Sequence, residues 1–163
     1  AIMASAINMP ASGALQAAQL DHCGKPMIMV SLPDEVLSPT SRRVLVVEDD
    51  PQIGGLLCRL LRRSGFETIW LDRGVHVVTV AEEQQPDAIV LDVDLPDASG
   101  LTLGQQLKAL ASTQNIPLLF ASGNYEVRTE AMKLGARDFL EKPIELIQLP
   151  QRLHTLFGTR FTT

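Results

Sequence analysis

Between Arg43 and Phe157, five short apolar runs alternate with five longer segments of helical period. The runs are RVLVVE (Arg43–Glu48), FETIWL (Phe66–Leu71), DAIVLD (Asp87–Asp92), IPLLFAS (Ile116–Ser122) and ARDFLE (Ala136–Glu141). Each is too short for a stable helix, so each predicts a strand, and near-continuous apolar character predicts burial on both faces. In DDPQIGGLLCRLLRRSG, residues Ile53, Leu56, Leu57, Leu60 and Leu61 fall at helical spacing, with Pro51 in the first turn and Gly65 at the stop. Further helices are predicted over GVHVVTVAEEQQ, SGLTLGQQLKALAS, YEVRTEAMKLG and IELIQLPQRLHTLF, the last in spite of Pro150. Alternation of this kind with short loops dictates a parallel sheet between helices, the doubly wound α/β class. In such sheets the ligand site lies beyond the carboxyl ends of the strands.

Those ends carry polar residues of a particular kind. The first run ends in Glu48, followed by Asp49 and Asp50; the third ends in Asp92, with Asp94 two residues on; the fourth ends in Ser122; the fifth leads into Lys142-Pro143. Carboxylates gathered at one edge repel one another unless a cation joins them. One lysine does not balance so many acids, whereas Mg2+ binds through a few carboxylates, waters and a phosphate oxygen. A strand-end carboxylate is a competent nucleophile toward phosphorus. A phosphoryl group delivered there needs its oxygens neutralised by the metal, by Lys142 and by the Ser122 hydroxyl. Asp92 is therefore predicted to hold a metal first and then a phosphoryl group.

Other polar residues read as structural. Asp50 precedes Pro51 and a helix, which predicts an N-cap. Asp97 and Ser99 are expected as loop and cap residues for the helix starting near Gly100. Phe139 alone fits ordinary core packing. His22, His76 and His154 have no ligand spacing, and Cys23 and Cys58 match no metal or redox motif.

Composition excludes several classes. Net charge is −5, and no Lys/Arg cluster exceeds two adjacent residues, so no nucleic-acid footprint is visible. There is no Walker loop or dinucleotide fingerprint. No apolar run approaches a membrane span, and AIMASAINMPASGALQ lacks a basic signal-peptide region, which points to the cytoplasm. A chain of 163 residues has room for one domain and an appendage. Residues 1–41, with Pro10, Pro26, Pro33 and Pro39 and no periodic core face, are expected to be an extension or linker, with a short helix over GALQAAQLDH and a strand over MIMVSL. Residues 42–163 are the domain.

The chain resembles the receiver domains of two-component response regulators. The matching stretches are VLVVEDDP, IVLDVDLPDASGL, IPLLFASG and GARDFLEKPIE, in that order and at compatible spacing. The resemblance implies a five-stranded, flavodoxin-like receiver with Asp92 as phosphoacceptor. It implies Asp49 as a direct Mg2+ ligand, Glu48 acting through water, and Asp94 lending a backbone carbonyl. Ser122 matches the switch hydroxyl, Lys142 the site lysine and Phe139 the switch aromatic. Gly123 stands where receivers often have alanine. The Lys142-Pro143 bond is expected to be cis.

The implied function is a switch phosphorylated by a histidine kinase, a phosphotransfer protein or a small phosphodonor. The implied output surface is the fourth helix, fifth strand and last helix, docking a protein partner or a second copy. Two alternatives stand beside it. DVDLP superficially resembles the nucleophile motif of haloacid-dehalogenase phosphatases, and a receiver that only docks is conceivable without phosphorylation. The acid-tipped strand preceding Asp92 argues against the phosphatase; the full set of Glu48, Asp49, Asp92, Ser122 and Lys142 argues against the docking module. Only GTRFTT follows the last predicted helix, so a stand-alone receiver or the terminal receiver of a hybrid sensor kinase is expected, and the opening Ala1 favours a fragment.

Overall fold

The computed structural model describes residues 41–158. The expected helix and strand of the extension, with His22 and Cys23, lie outside the described residues. Strands β1 (Arg43–Val47), β2 (Glu67–Leu71), β3 (Ala88–Asp92), β4 (Leu118–Ser122) and β5 (Asp138–Glu141) alternate with α1 (Pro51–Arg63), α2 (Val77–Gln84), α3 (Gly100–Ala109), α4 (Arg128–Lys133) and α5 (Leu149–Leu156). All pairings are parallel, in the order β2-β1-β3-β4-β5. The doubly wound α/β prediction holds.

Strand alternation divides the core into two layers. Val44, Val46, Ala88, Val90 and Leu140 pack with Leu57 and Leu61 of α1 and Leu149 and Leu153 of α5. Leu45, Val47, Ile89, Leu91 and Phe120 pack with Val77 of α2, Leu103 and Leu107 of α3 and Ala131 of α4. The central strand β3 is buried at every residue, Asp92 included.

The helix ends follow local chemistry. Asp50 caps α1, accepting from the N–H groups of Gln52 (2.8 Å) and Ile53 (3.2 Å). Gly65, at φ +85°, closes it, with Gly65 N–H donating to Arg62 O and Phe66 N–H to Leu61 O, the Schellman arrangement. The predicted last helix divides instead of running through. A 3-10 segment, Ile144–Gln148, precedes α5, and Pro150 falls in the first turn of α5, where its missing N–H breaks no intrahelical bond. Asp97 is a loop residue, as expected, but its bonds go elsewhere than to α3. Its carboxylate accepts from the N–H groups of Gly74 and Val75 at 2.9 Å each, tying the β3–α3 loop to the loop after β2. Ser99 stands at the α3 cap position without a side-chain cap bond.

Candidate phosphoryl-acceptor site

Parallel strands aligned in register deliver β1, β3, β4 and β5 to one edge, so Glu48, Asp92, Ser122 and Lys142 converge there. One carboxylate oxygen from each of Glu48, Asp49 and Asp92 lies within 4.8 Å of the others. Glu48 and Asp92 are buried, at 2% and 3% exposure, while Asp49 is exposed. Lys142 Nζ bridges the two buried acids, 2.5 Å from Glu48 Oε2 and 2.6 Å from Asp92 Oδ2. The Lys142-Pro143 bond is cis, as expected.

Burial pushes the Glu48 carboxyl above its ordinary value, and the bond and charge of Lys142 offset this only in part. Burial pulls Lys142 down, but its bonds to Asp92 and Glu48 outweigh that and hold its pKa above the usual lysine range. Two of the three clustered carboxylates therefore share one ammonium, and among the described residues no ion pair gives Asp49 a cation. The donor set is all hard oxygen, two of its members are sequestered from water and the third faces solvent, which suits a divalent cation of the Mg2+ type that retains waters.

Asp92 is held at both oxygens. Oδ2 takes Lys142, and Oδ1 accepts the Asp94 N–H at 3.0 Å. Each oxygen keeps a further lone pair. Next to this residue α3 begins without clearance: a Cβ on Gly100 would lie 2.1 Å from the Asp92 carbonyl oxygen.

Ser122 and Phe139 complete the predicted set. The buried Ser122 hydroxyl donates to Asp94 Oδ2 at 2.9 Å and accepts from the Asn124 N–H at 3.0 Å, so in this state its bond goes to Asp94. The Asp94 carboxylate thus lies outside the three-acid cluster and engages the serine. The Phe139 ring is wholly buried, edge-on to Tyr125 with centroids 6.2 Å apart and with Arg128 above it. A phenyl ring has no hydroxyl to draw it to water, and the ring packs in the core, as the core-packing reading of Phe139 expects.

Sequence reasoning passed over Trp70. Its indole Nε1 donates to the Glu48 carbonyl at 2.9 Å. The one available signal was its status as the sole tryptophan of the chain, on a strand beside the acidic pair.

Sheet order, helix placement and an acid-lined carboxyl edge define a flavodoxin-like α/β protein. The chain belongs to the response regulator receiver domain family, whose model matches residues 44–154. It is 37% identical over 124 residues to the transcriptional regulatory protein PrrA of Mycobacterium tuberculosis, covering 76% of this chain and 53% of that protein. It is 35% identical over 115 residues to the phosphate regulon transcriptional regulatory protein PhoB of Escherichia coli, covering 69% and 50%. The chain spans about half the length of these relatives. A CheY-like receiver domain from Methylobacillus flagellatus superposes with TM-score 0.65 at 30% identity, covering 72% of this chain and 99% of that one. The receiver domain of a Pseudomonas aeruginosa sensor histidine kinase, with magnesium coordinated in its active-site cleft, superposes with TM-score 0.66 at 26% identity, covering 73% and 99%. Receiver domains are signalling switches, and among the described residues no helix is long and apolar enough to cross a membrane.

Proposed function

We propose that this chain is a Mg2+-dependent switch that accepts a phosphoryl group on Asp92 from a histidine kinase, a phosphotransfer protein or a small phosphodonor. Residues 42–163 are the receiver, residues 1–41 an extension, and the setting is cytoplasmic. The observation that carries the reading is one ammonium, Lys142, bridging two buried acids in a cluster of three carboxylates. Asp49, Asp92 and the Asp94 carbonyl would hold Mg2+ directly and Glu48 through water; when bound, the ion neutralises charge on phosphoryl oxygens. The Asp92 carboxylate attacks phosphorus as the bond to the donor breaks: phosphorus–nitrogen for a phosphohistidine, with the electron pair leaving on the imidazole nitrogen, or phosphorus–oxygen for acetyl phosphate, with the pair leaving on acetate. Lys142 follows the charge to the phosphoryl oxygens.

The readout begins at Ser122. Its hydroxyl has one proton, now given to Asp94. A phosphoryl group on Asp92 competes for that proton, exchanging one charge-assisted bond for another. Asn124 is tied to Ser122 through its N–H and caps the turn before α4, accepting from Glu126 N–H at 3.0 Å. Displacing Ser122 therefore moves the entry to α4. The output face is α4–β5–α5, where Arg152 links Asp138 and Glu145 at 2.8–2.9 Å, and a protein partner or a second copy docks there. Nucleic acid is not assigned to this domain.

Incubation with acetyl phosphate and Mg2+ should add one phosphoryl group per chain by intact mass, and EDTA should prevent it. Many turnovers of para-nitrophenyl phosphate per chain would favour a phosphatase instead. Beryllofluoride, a phosphoryl mimic, should shift amide resonances from Ser122 through Asn124 and Tyr125 into α4. Shifts confined to the loops at Asp49, Asp92 and Ser122 would reject the output face.

A further inference from the structure

We infer that Trp70 is a positioning residue for the acidic pair, holding the Glu48 backbone so that Glu48 and Asp49 project toward Asp92; this rests on the metal-binding reading above. In a parallel ladder, the N–H and C=O of one residue face the same neighbouring strand. Glu48 N–H makes such a bond to β2, donating to Leu71 O at 3.0 Å. β2 stops at Leu71, so the Glu48 carbonyl faces a strand that has run out. The indole Nε1 of Trp70 supplies the missing donor at 2.9 Å. Both polar backbone groups of Glu48 are thus held by β2 at the residue where the acids begin.

Two features separate this bond from an incidental one. Trp70 is 40% exposed as a residue, yet the indole edge that carries the N–H turns inward to the Glu48 carbonyl. The ring is also fitted to its place from the other side. A Cβ on Gly54 of α1 would lie 2.5 Å from both Cε2 and Nε1, so glycine there admits the edge of the indole that carries the donor. Helix, strand and acidic turn meet at one hydrogen bond.

The test compares the full chain with two variants. Trp70→Phe keeps an aromatic ring without the donor. Gly54→Ala keeps Trp70 and every acid but pushes the donor edge aside, and its better helix propensity keeps the test open if Trp70→Phe does not fold. One net hydrogen bond corresponds to about 2- to 12-fold in an equilibrium constant. Calorimetric titration with Mg2+ should show affinity lowered by that factor in each variant, and hydrogen exchange at the Asp49 amide of the metal-free protein should quicken. Melting temperatures are recorded alongside, because a purely structural role would lower them and leave Mg2+ affinity and Asp49 exchange unchanged. That result overturns the inference. Absence of Mg2+ binding by the unmodified chain overturns the metal reading instead, and Asp49 exchange alone then decides whether Trp70 positions the turn.

Discussion

Asp92→Asn is expected to abolish phosphoryl labelling by acetyl phosphate, with no adduct visible by intact mass under conditions that label the unmodified chain. The amide is nearly isosteric but uncharged, and its nitrogen has no lone pair free to attack phosphorus. A structural cost accompanies the loss. Both Asp92 oxygens accept hydrogen bonds, one from the Asp94 N–H and one from Lys142. An asparagine oxygen serves only one of them and turns an N–H toward the other donor, which costs about 1–3 kcal/mol. Removing a buried negative charge from a three-acid cluster offsets part of that cost. A folded variant with lost labelling is therefore the expected combination, checked by a thermal melt on the same sample. A phosphoryl adduct of undiminished yield on Asp92→Asn would place the acceptor elsewhere.

Lys142→Met should produce the largest change in stability. The ammonium is the cation shared by Glu48 and Asp92, whose side chains are each 3% exposed against 14% for the lysine. Removing one partner of a buried ionic group leaves the other charges uncompensated and costs about 3–5 kcal/mol. Against a typical domain stability of roughly 5–15 kcal/mol, that is a large fraction. The sign with pH follows from Glu48, whose folded pKa lies above the ordinary 4.5. Such a group stabilises the fold below its unfolded pKa, and the contribution is lost as pH rises through the folded value. Without Lys142 the Glu48 shift grows, so the metal-free variant should be least stable at neutral pH and recover as pH falls toward 4.5. Mg2+ should restore stability at neutral pH, by about 2.7 kcal/mol at a hundred times its dissociation constant. Denaturant titrations with and without Mg2+ measure both arms. A Lys142→Met protein as stable as its parent in EDTA would show that the bridge carries no counter-charge role.

The predicted site is mostly one of strand ends, and strand ends are local. A run such as DAIVLD states its own length, burial and final acid, and parallel registry then brings Asp92 beside Glu48 and Lys142 with no further information. The helix caps at Asp50 and Gly65 are local in the same sense, because each satisfies N–H or C=O groups within a few residues of itself. Pro150 was misplaced because a continuous apolar period does not distinguish a 3-10 turn leading into a helix from the helix itself.

What the sequence by itself determined was the alternation of elements, the two-layer core and the identity of the residues at the carboxyl edge, because these follow from periods of two and of 3.6 along the chain. Tertiary structure alone decided the partners of loop side chains. Ser122 bonds Asp94 from 28 residues away, Asp97 reaches across 23 residues to Gly74, and Trp70 reaches 22 residues back to Glu48. Each of these bonds joins segments that no periodicity relates. A polar side chain at a loop has several acceptors or donors open to it, and only the packed sheet and helices select which one lies within 3 Å.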